Sequence, residues 1–294
     1  MTDPDLIRNI VQFSRKHEKT GQHYATSVPG LFVMCDPIPG KFEPMIYDPV
    51  ICLVLQGSKE TRIGERRVVF GAGDSLIVSH SLPVVAAITE AAPDAPYVAM
   101  ILSVDLGVAR SLQDEIGDFG SDQGAQSAIA SKTAPELIDA FARLFQASRD
   151  PVEAAALAPL IIREIHFRLL QADHGGMLRQ MLWRDSAASK IGRVITRMRT
   201  GLADSLSVPQ MANIAGMSVS AFHEHFKAIA GTSPLQYHKD LRLTEARRLL
   251  IETAGPVSSV AFEVGYESPT QFSREYARKF GASPRQDLSK TRAA

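Results

Sequence analysis

The stretch Ala212-Asn213-Ile214-Ala215-Gly216-Met217-Ser218, which runs on to Gly231-Thr232-Ser233-Pro234, has a second version further along the chain. That version is Ala261-Phe262-Glu263-Val264-Gly265-Tyr266-Glu267-Ser268, running on to Gly281-Ala282-Ser283-Pro284. From the serine onward the copies match at an offset of 50 residues: Ser218/Ser268, Phe222/Phe272, Phe226/Tyr276, Gly231/Gly281 and Pro234/Pro284. Each copy reads as a short helix, a tight turn at glycine, and a second helix with aromatics four apart. This is a helix-turn-helix pattern occurring twice. Two such units in one chain offer two helices to adjacent major grooves of DNA.

A chain of 294 residues suggests two domains. Its 45% hydrophobic and 22% charged residues are ordinary for a globular protein in water. No apolar run approaches the roughly 18 residues of a membrane span. Met1-Thr2-Asp3-Pro4-Asp5 is acidic and lacks the apolar core of a signal peptide. The two cysteines, Cys35 and Cys52, are too few for a disulfide framework. Together these features predict a cytoplasmic protein without membrane contact. The net charge of zero conceals an asymmetry: residues 190–294 carry 15 Lys/Arg against nine Asp/Glu, an excess of six matched by a deficit of six in the remainder. The half with the repeat is therefore the basic half, as neutralisation of phosphates requires.

Between about 28 and 106 short apolar runs recur at Leu31–Cys35, Val50–Leu55, Val68–Phe70, Ser75–Val78, Val84–Ile88 and Tyr97–Val104. Turn signals such as Gln56-Gly57 and Gly71-Ala72-Gly73-Asp74 separate them. Regular short strands of this kind predict a small barrel or sandwich. Residues 116–133, rich in Gly, Ser, Ala and Gln, read as a linker or mobile loop. Then the period becomes helical, with Leu137, Ile138, Phe141, Leu144 and Phe145, and again Leu160, Ile161, Glu164, Ile165 and Leu169. These helices either close the β domain or form a dimer interface. Gly175-Gly176 is expected to end that region. A helix is expected over Ala187–Thr200, burying Ile191, Val194, Ile195 and Met198 and stopped by Gly201.

In the repeat the first scanning helix is expected over Val208–Ala215, with Gly216 at positive φ. Ser218 is a good N-cap for the reading helix that follows. If Phe222 and Phe226 face the core, then Ser220, Ala221, His223, Glu224 and Lys227 face the groove. Leu235–Ile251 reads as a long spacer helix and Val257–Val264 as the second scanning helix. Ser268 with Pro269 starts the second reading helix. There Phe272 and Tyr276 are core, and Thr270, Gln271, Ser273, Arg274 and Arg278 are the DNA-binding candidates. Glu224 either accepts from cytosine N4 or pairs with Lys227 or Lys239.

These residues carry a resemblance to a known family. Ala212–Ser218, Phe222 and Phe226, Gly231–Pro234, the run Arg242-Leu243-Thr244-Glu245-Ala246-Arg247-Arg248-Leu249-Leu250, Ala261 to Tyr266, Phe272-Ser273 and Gly281 to Pro284 resemble the AraC/XylS transcription regulators over about 100 residues. The family implies a seven-helix domain with two helix-turn-helix units joined by a long helix. It commonly has an aromatic-Arg pair shortly after the final Ser-Pro, where this chain has Asp287-Leu288. The N-terminal half resembles the cupin-like sensor domain of one AraC-type subgroup, through Val28–Leu31, Tyr47-Asp48-Pro49, Val54–Lys59, Ser81–Val84, Thr89–Ala91 and Pro96-Tyr97. That implies effector binding, dimerisation, or both.

The fold expected is thus α+β in two domains. Residues 1–185 form a β-rich cupin-like barrel with accessory helices, and 186–294 an all-α domain with two helix-turn-helix units. The function implied is sequence-specific regulation of transcription, as an activator or a repressor, with promoter DNA, a small-molecule effector, a second copy of the chain and RNA polymerase as partners. No cofactor is expected. Tyr47, Gln56, Lys59 and Arg62 are the ligand-binding candidates; a hairpin turn with a solvated basic edge is the rival reading of Gln56–Lys59 and Arg62. A cupin metal enzyme fused to a DNA-binding module is the rival function. It would need a His-x-His pair and a nearby Glu, whereas the β region offers only His80, read here as a loop or rim residue. No catalytic or metal-binding residue is expected. His223 and His225, two apart on a helix, point to different sides, His225 toward the scaffold. Cys35 and Cys52 read as small buried hydrophobes.

Overall fold

Glycine and proline punctuate the first half every few residues, whereas the second half alternates capped helices with glycine turns, and the chain folds accordingly. The computed structural model describes residues 4–16, 23–117, 119, 126–253 and 255–293. Two compact units result, one of residues 1–43 and 47–189, the other of 190–294 with 44–46.

The first unit opens with helix α1 (Pro4–Arg15) and continues through nine strands: β1 (His23–Ala25), β2 (Leu31–Asp36), β3 (Glu43–Tyr47), β4 (Val50–Gln56), β5 (Ser58–Ile63), β6 (Arg66–Gly71), β7 (Asp74–Val78), β8 (Leu82–Glu90) and β9 (Tyr97–Ser103). Then come α2 (Leu106–Ile116), β10 (Ala128–Lys132), α3 (Pro135–Ala147), α4 (Pro151–Gln171), a 3₁₀ turn and α5 (Gly176–Leu182). One sheet has the order β1-β2-β9-β4-β7-β10 and the other β3-β8-β5-β6. Helices α1 to α5 cover the outer face of the larger sheet. Leu6, Ile10, Leu112, Phe141, Leu144, Ile161, Ile165, Leu169 and Leu178 share one buried cluster with Val33, Ile51, Leu53 and Met100. Strand β4 is therefore apolar on both faces, which is why Val50–Leu55 reads as a continuous run rather than an alternation.

Several expectations need correction. The segment 116–133 is not all linker: Ala128–Lys132 is β10, antiparallel to β7 with Ala128 opposite Val78 and Lys132 opposite Asp74. Residues 118 and 120–125 of that segment lie outside the described residues. Gly175-Gly176 does not end the helical region, because α5 follows at once and buries Leu178 and Leu182 in the same core. Leu160 does not join the buried stripe of α4; it is 66% exposed while Ile161, Ile165 and Leu169 are buried. His80 does lie in a loop, between β7 and β8, but is buried there, and burial pulls its pKa down to about 4.

In the second unit α6 (Ala187–Thr200) buries Ile191, Val194, Ile195 and Met198, as its pattern requires. It is followed by α7 (Val208–Ala215), α8 (Val219–Ala230), α9 (Pro234–Thr253), α10 (Val257–Glu263), α11 (Pro269–Phe280) and α12 (Pro284–Ala293). Seven helices thus include two helix-turn-helix units, α7–α8 and α10–α11, joined by α9. At 20 residues α9 is about 30 Å long. Among the described residues no helix is long and apolar enough to cross a membrane.

Candidate nucleic-acid interface

Both turns are built by the same backbone device. Gly216 (φ 63°) and Gly265 (φ 85°) take the left-handed conformation that a side chain disfavours. The following N–H then reaches back five residues, Met217 to Ala212 O at 3.0 Å and Tyr266 to Ala261 O at 2.9 Å. Gly265 is doubly constrained, since a Cβ there would lie 2.6 Å from the Ala203 carbonyl oxygen. Each reading helix starts on a serine whose Oγ accepts from the N3 amide, Ser218 from Ala221 and Ser268 from Gln271, both at 3.3 Å. Each ends on a left-handed glycine, Gly231 or Gly281.

Aromatic anchors set the rotation of the two reading helices. Phe222 and Phe226 are fully buried, with ring centroids 5.5 Å apart, and Phe226 meets Tyr237 of α9 edge-on. Phe272 and Tyr276 repeat the first arrangement at 5.5 Å, with Tyr266 edge-on to Phe272. With those sides fixed, Ser220, His223, Glu224 and Lys227 on α8 and Thr270, Gln271, Arg274 and Arg278 on α11 are exposed, while Ala221 and Ser273 are half-buried. The Ser273 hydroxyl is engaged, donating to Pro269 O at 2.8 Å. His225 is exposed rather than turned to the scaffold.

The second reading helix is clamped to its neighbours. Glu275 accepts from the Tyr266 hydroxyl at 2.9 Å and pairs with Lys239 of α9 at 3.3 Å. Lys239 is thus directed to α11 and not to Glu224. Lys279 pairs with Asp240. Asp287 of α12 accepts from Arg247 Nε and the Tyr276 hydroxyl, each at 2.8 Å. Burial, and then the Asp287 carboxylate, push the Tyr276 phenol far above its ordinary value. Asp287-Leu288, where the family pattern has an aromatic-Arg pair, therefore locks α12 onto α9 and α11, and Leu288 joins the same core. Many acids of this unit sit in such pairs. Lys227 and Arg274 take part in no ion pair among the described residues, and Arg278 only approaches Glu275 at 4.0 Å. Lys227, Arg274 and Arg278 are thus left as exposed cations on the two helices.

Residues 27–177 match the model of the AraC-type transcriptional regulator N-terminus, and residues 211–290 that of a helix-turn-helix domain. The chain belongs to the AraC/XylS family. Within it, the chain is similar to the RCS-specific HTH-type transcriptional activator RclR of Escherichia coli, 34% identical over 95 residues. That match covers 32% of this chain and 34% of RclR. It is 28% identical over 102 residues to the transcriptional activator RhaS of Escherichia fergusonii, covering 35% of this chain and 37% of RhaS. The chain thus spans about a third of the length of these curated relatives. In fold it resembles ToxT from Vibrio cholerae, solved with an unsaturated fatty acid bound, at a TM-score of 0.58 and 9% identity, covering 92% of this chain and 96% of that one. As an AraC/XylS chain it carries the regulator N-terminus match ahead of the helix-turn-helix match.

The four ligand candidates in that first half do not converge. Tyr47 and Lys59 do, with the Lys59 ammonium 5.3 Å from the centre of the Tyr47 ring. Gln56 is occupied holding the chain, donating to Pro96 O at 2.8 Å. Arg62 lies on the opposite face of β5, paired with Glu60 at 2.8 Å and stacked over Phe42 at 3.9 Å. Sequence reasoning passed over Tyr97 as a candidate; it is fully buried beside the Cys52 thiol. Among the described residues no three His, Cys, Asp or Glu come together as a metal-binding group.

Proposed function

We propose that this protein is a sequence-specific, double-stranded-DNA-binding activator of transcription, regulated by a small molecule through its first unit. The observation that carries the reading is the pair of serine-capped, aromatic-anchored helices α8 and α11. Each turns a polar, cation-bearing side outward, and α9 joins the two units, which would place them in neighbouring major grooves recurring at roughly 34 Å. Ser220, Ala221, His223, Glu224 and Lys227 read one box, and Thr270, Gln271, Ser273, Arg274 and Arg278 the next. The effector role is supported by likeness to ToxT, whose structure holds a fatty acid. Activation follows the printed roles of RclR and RhaS as transcriptional activators, and RNA polymerase is the partner such a role calls for. The site of action is the cytoplasm. The exposed row Val152, Leu157 and Leu160 on α4 is the surface through which two copies pair; Leu160→Asp is expected to yield monomers in sedimentation.

The deciding experiment is fluorescence anisotropy of the full chain on DNA selected from a random pool, across a salt series. Binding should yield a footprint of two boxes about one turn apart, and log affinity should fall by about 0.9 per phosphate neutralised against log salt. A single protected box, or binding indifferent to salt, refutes the arrangement.

A further inference from the structure

Asp105 is the corner residue between β9 and α2. Its carboxylate caps α2, accepting from Gly107 N at 2.7 Å and Val108 N at 3.2 Å. Its own amide donates to Nε2 of His166 on α4 at 2.8 Å. His166 is fully buried, and its Nδ1 lies 2.7 Å from the Ile162 carbonyl oxygen, one turn earlier on α4. These two partners fix the state of the ring. A backbone N–H can only donate, so Nε2 is the bare nitrogen; a carbonyl oxygen can only accept, so Nδ1 carries the one proton. The site is built for a neutral imidazole.

An imidazolium does not fit there. A proton on Nε2 would meet the Asp105 N–H donor to donor, and the bond across to α2 would be lost. The new charge would also stand out of reach of water. Burial is accordingly the main influence on His166 and lowers its pKa, against the opposing pull of the Ile162 carbonyl and the Asp105 carboxylate. The other charged groups on and around α4 are engaged elsewhere. Arg143 on α3 and Arg168 pair with Glu164, each at 2.7 Å, and Arg179 of α5 donates to Leu170 O and Ala172 O. Beyond the end of α4, Asp173 acts on His174. Arg163 reaches Ser111 and Glu115 on α2, but that tie is exposed to water, 37% at Arg163 and 61% at Glu115, and contributes little. The bond through His166 is the buried polar tie between the two helices.

We propose that neutral His166 latches α2 to α4, and that its protonation in mild acid releases the helix as a local, reversible opening. Once open, the ring meets water and takes its proton near the ordinary 6.5. The folded site binds that proton less readily, so the latch is whole above 6.5 and is lost as pH falls below it toward the folded value. Opening of α2 then grows by up to about tenfold for each unit of pH in that window. Helix α2 is 11 residues long and buries only Ala109 and Leu112, so one bond weighs heavily in holding it down. The latch goes beyond the effector reading and does not depend on it.

Hydrogen–deuterium exchange of the full chain tests it, at pH 7.5, 6.5 and 5.5, corrected for the intrinsic amide rate. His80 and His174 are also buried with lowered pKa values and load the whole first unit in acid, so the readout must be local. Opening of residues 105–116 should rise between about threefold and tenfold from pH 7.5 to 5.5, while β4 and β9 stay unexchanged over the same times. His166→Gln offers Asp105 an acceptor that takes no proton. Checked for folding by circular dichroism, it should keep α2 protected with no dependence on pH. Exchange of α2 that is flat with pH in the unaltered chain overturns the proposal, as does exchange of α2 only together with β4 and β9. An undiminished acid response in folded His166→Gln overturns it too. The first two results are read on the unaltered protein and stand even if the variant misfolds.

Discussion

Removing the Asp287 side chain should loosen the second reading helix although it lies outside that helix. The carboxylate is 13% exposed and accepts from Arg247, 17% exposed, and from Tyr276, a residue 1% exposed. Hydrogen bonds to charged groups contribute about 1.5–3 kcal/mol each. Water can re-solvate part of Arg247 but cannot reach the Tyr276 hydroxyl, so the lower end applies, about 3 kcal/mol for Asp287→Ala. In a unit of about a hundred residues this is a fall in melting temperature of roughly 12–20 °C. Tyr276→Phe keeps the Arg247–Asp287 pair and should cost about 1–1.5 kcal/mol. Because the two share one bond, the double variant should fall short of the sum by about 1 kcal/mol or more. Calorimetry of the full chain, following the transition of the second unit, gives all three values. A loss under about 1 kcal/mol for Asp287→Ala, or strict additivity, would refute the idea that Asp287 locks α12 to α11.

Other outcomes follow from the same geometry. Arg274→Ala should weaken the selected site by about 1–3 kcal/mol and relax preference at one base pair, since Arg274 is exposed and free of ion pairs among the described residues; equal losses on selected and scrambled DNA would make it a phosphate contact instead. Gly265→Ala should unfold or severely destabilise the second unit, because positive φ and the approach to Ala203 act together; a melting temperature within a degree of the parent would contradict this. Acid should destabilise that unit: Glu245, held down chiefly by Arg248, and Glu275, held down by Tyr266, Gln271 and Lys239 against the opposing effect of burial, both lie below the ordinary 4.5. Their contribution is present in full above 4.5 and is lost as pH falls through their folded values, so urea midpoints should be flat from pH 7 to about 5.5 and then drop.

The second unit was legible almost residue by residue because its signals are local. Serine caps, left-handed glycines and aromatics four apart each act within one turn, and the helices over Ala187–Thr200 and Val208–Ala215 fall where those signals place them. The first unit hid more. Strand β10 is the undistinguished Ala-Ile-Ala-Ser-Lys, and only its pairing with β7, about 50 residues earlier, makes it a strand. Helix α1 carries Leu6, Ile7, Ile10, Val11 and Phe13 at helical spacing, an amphipathic signal that went unused beside the acidic start of the chain. Arg62 and Lys59 are an odd number of residues apart on one strand, so period-two alternation alone separates them. Tyr97 gave no such sign, because what a buried hydroxyl meets is a property of its neighbours and not of its residue type.

The two copies of the reading unit share their serine caps, their aromatic anchors and their terminal glycines, and differ along the rest of the helix. Ser220, Ala221, His223 and Glu224 stand against Thr270, Gln271, Ser273 and Arg274, while Phe222 matches Phe272 and Gly231 matches Gly281. They are two keys cut from one blank. The teeth should therefore be transferable: writing the second set onto α8 leaves every anchor in place, and the molecule would then address a tandem of two like boxes. As it stands, its two ends are unlike, so under the proposed function a single molecule should lie on the duplex in one direction only, and reversing one box of a selected site should abolish binding.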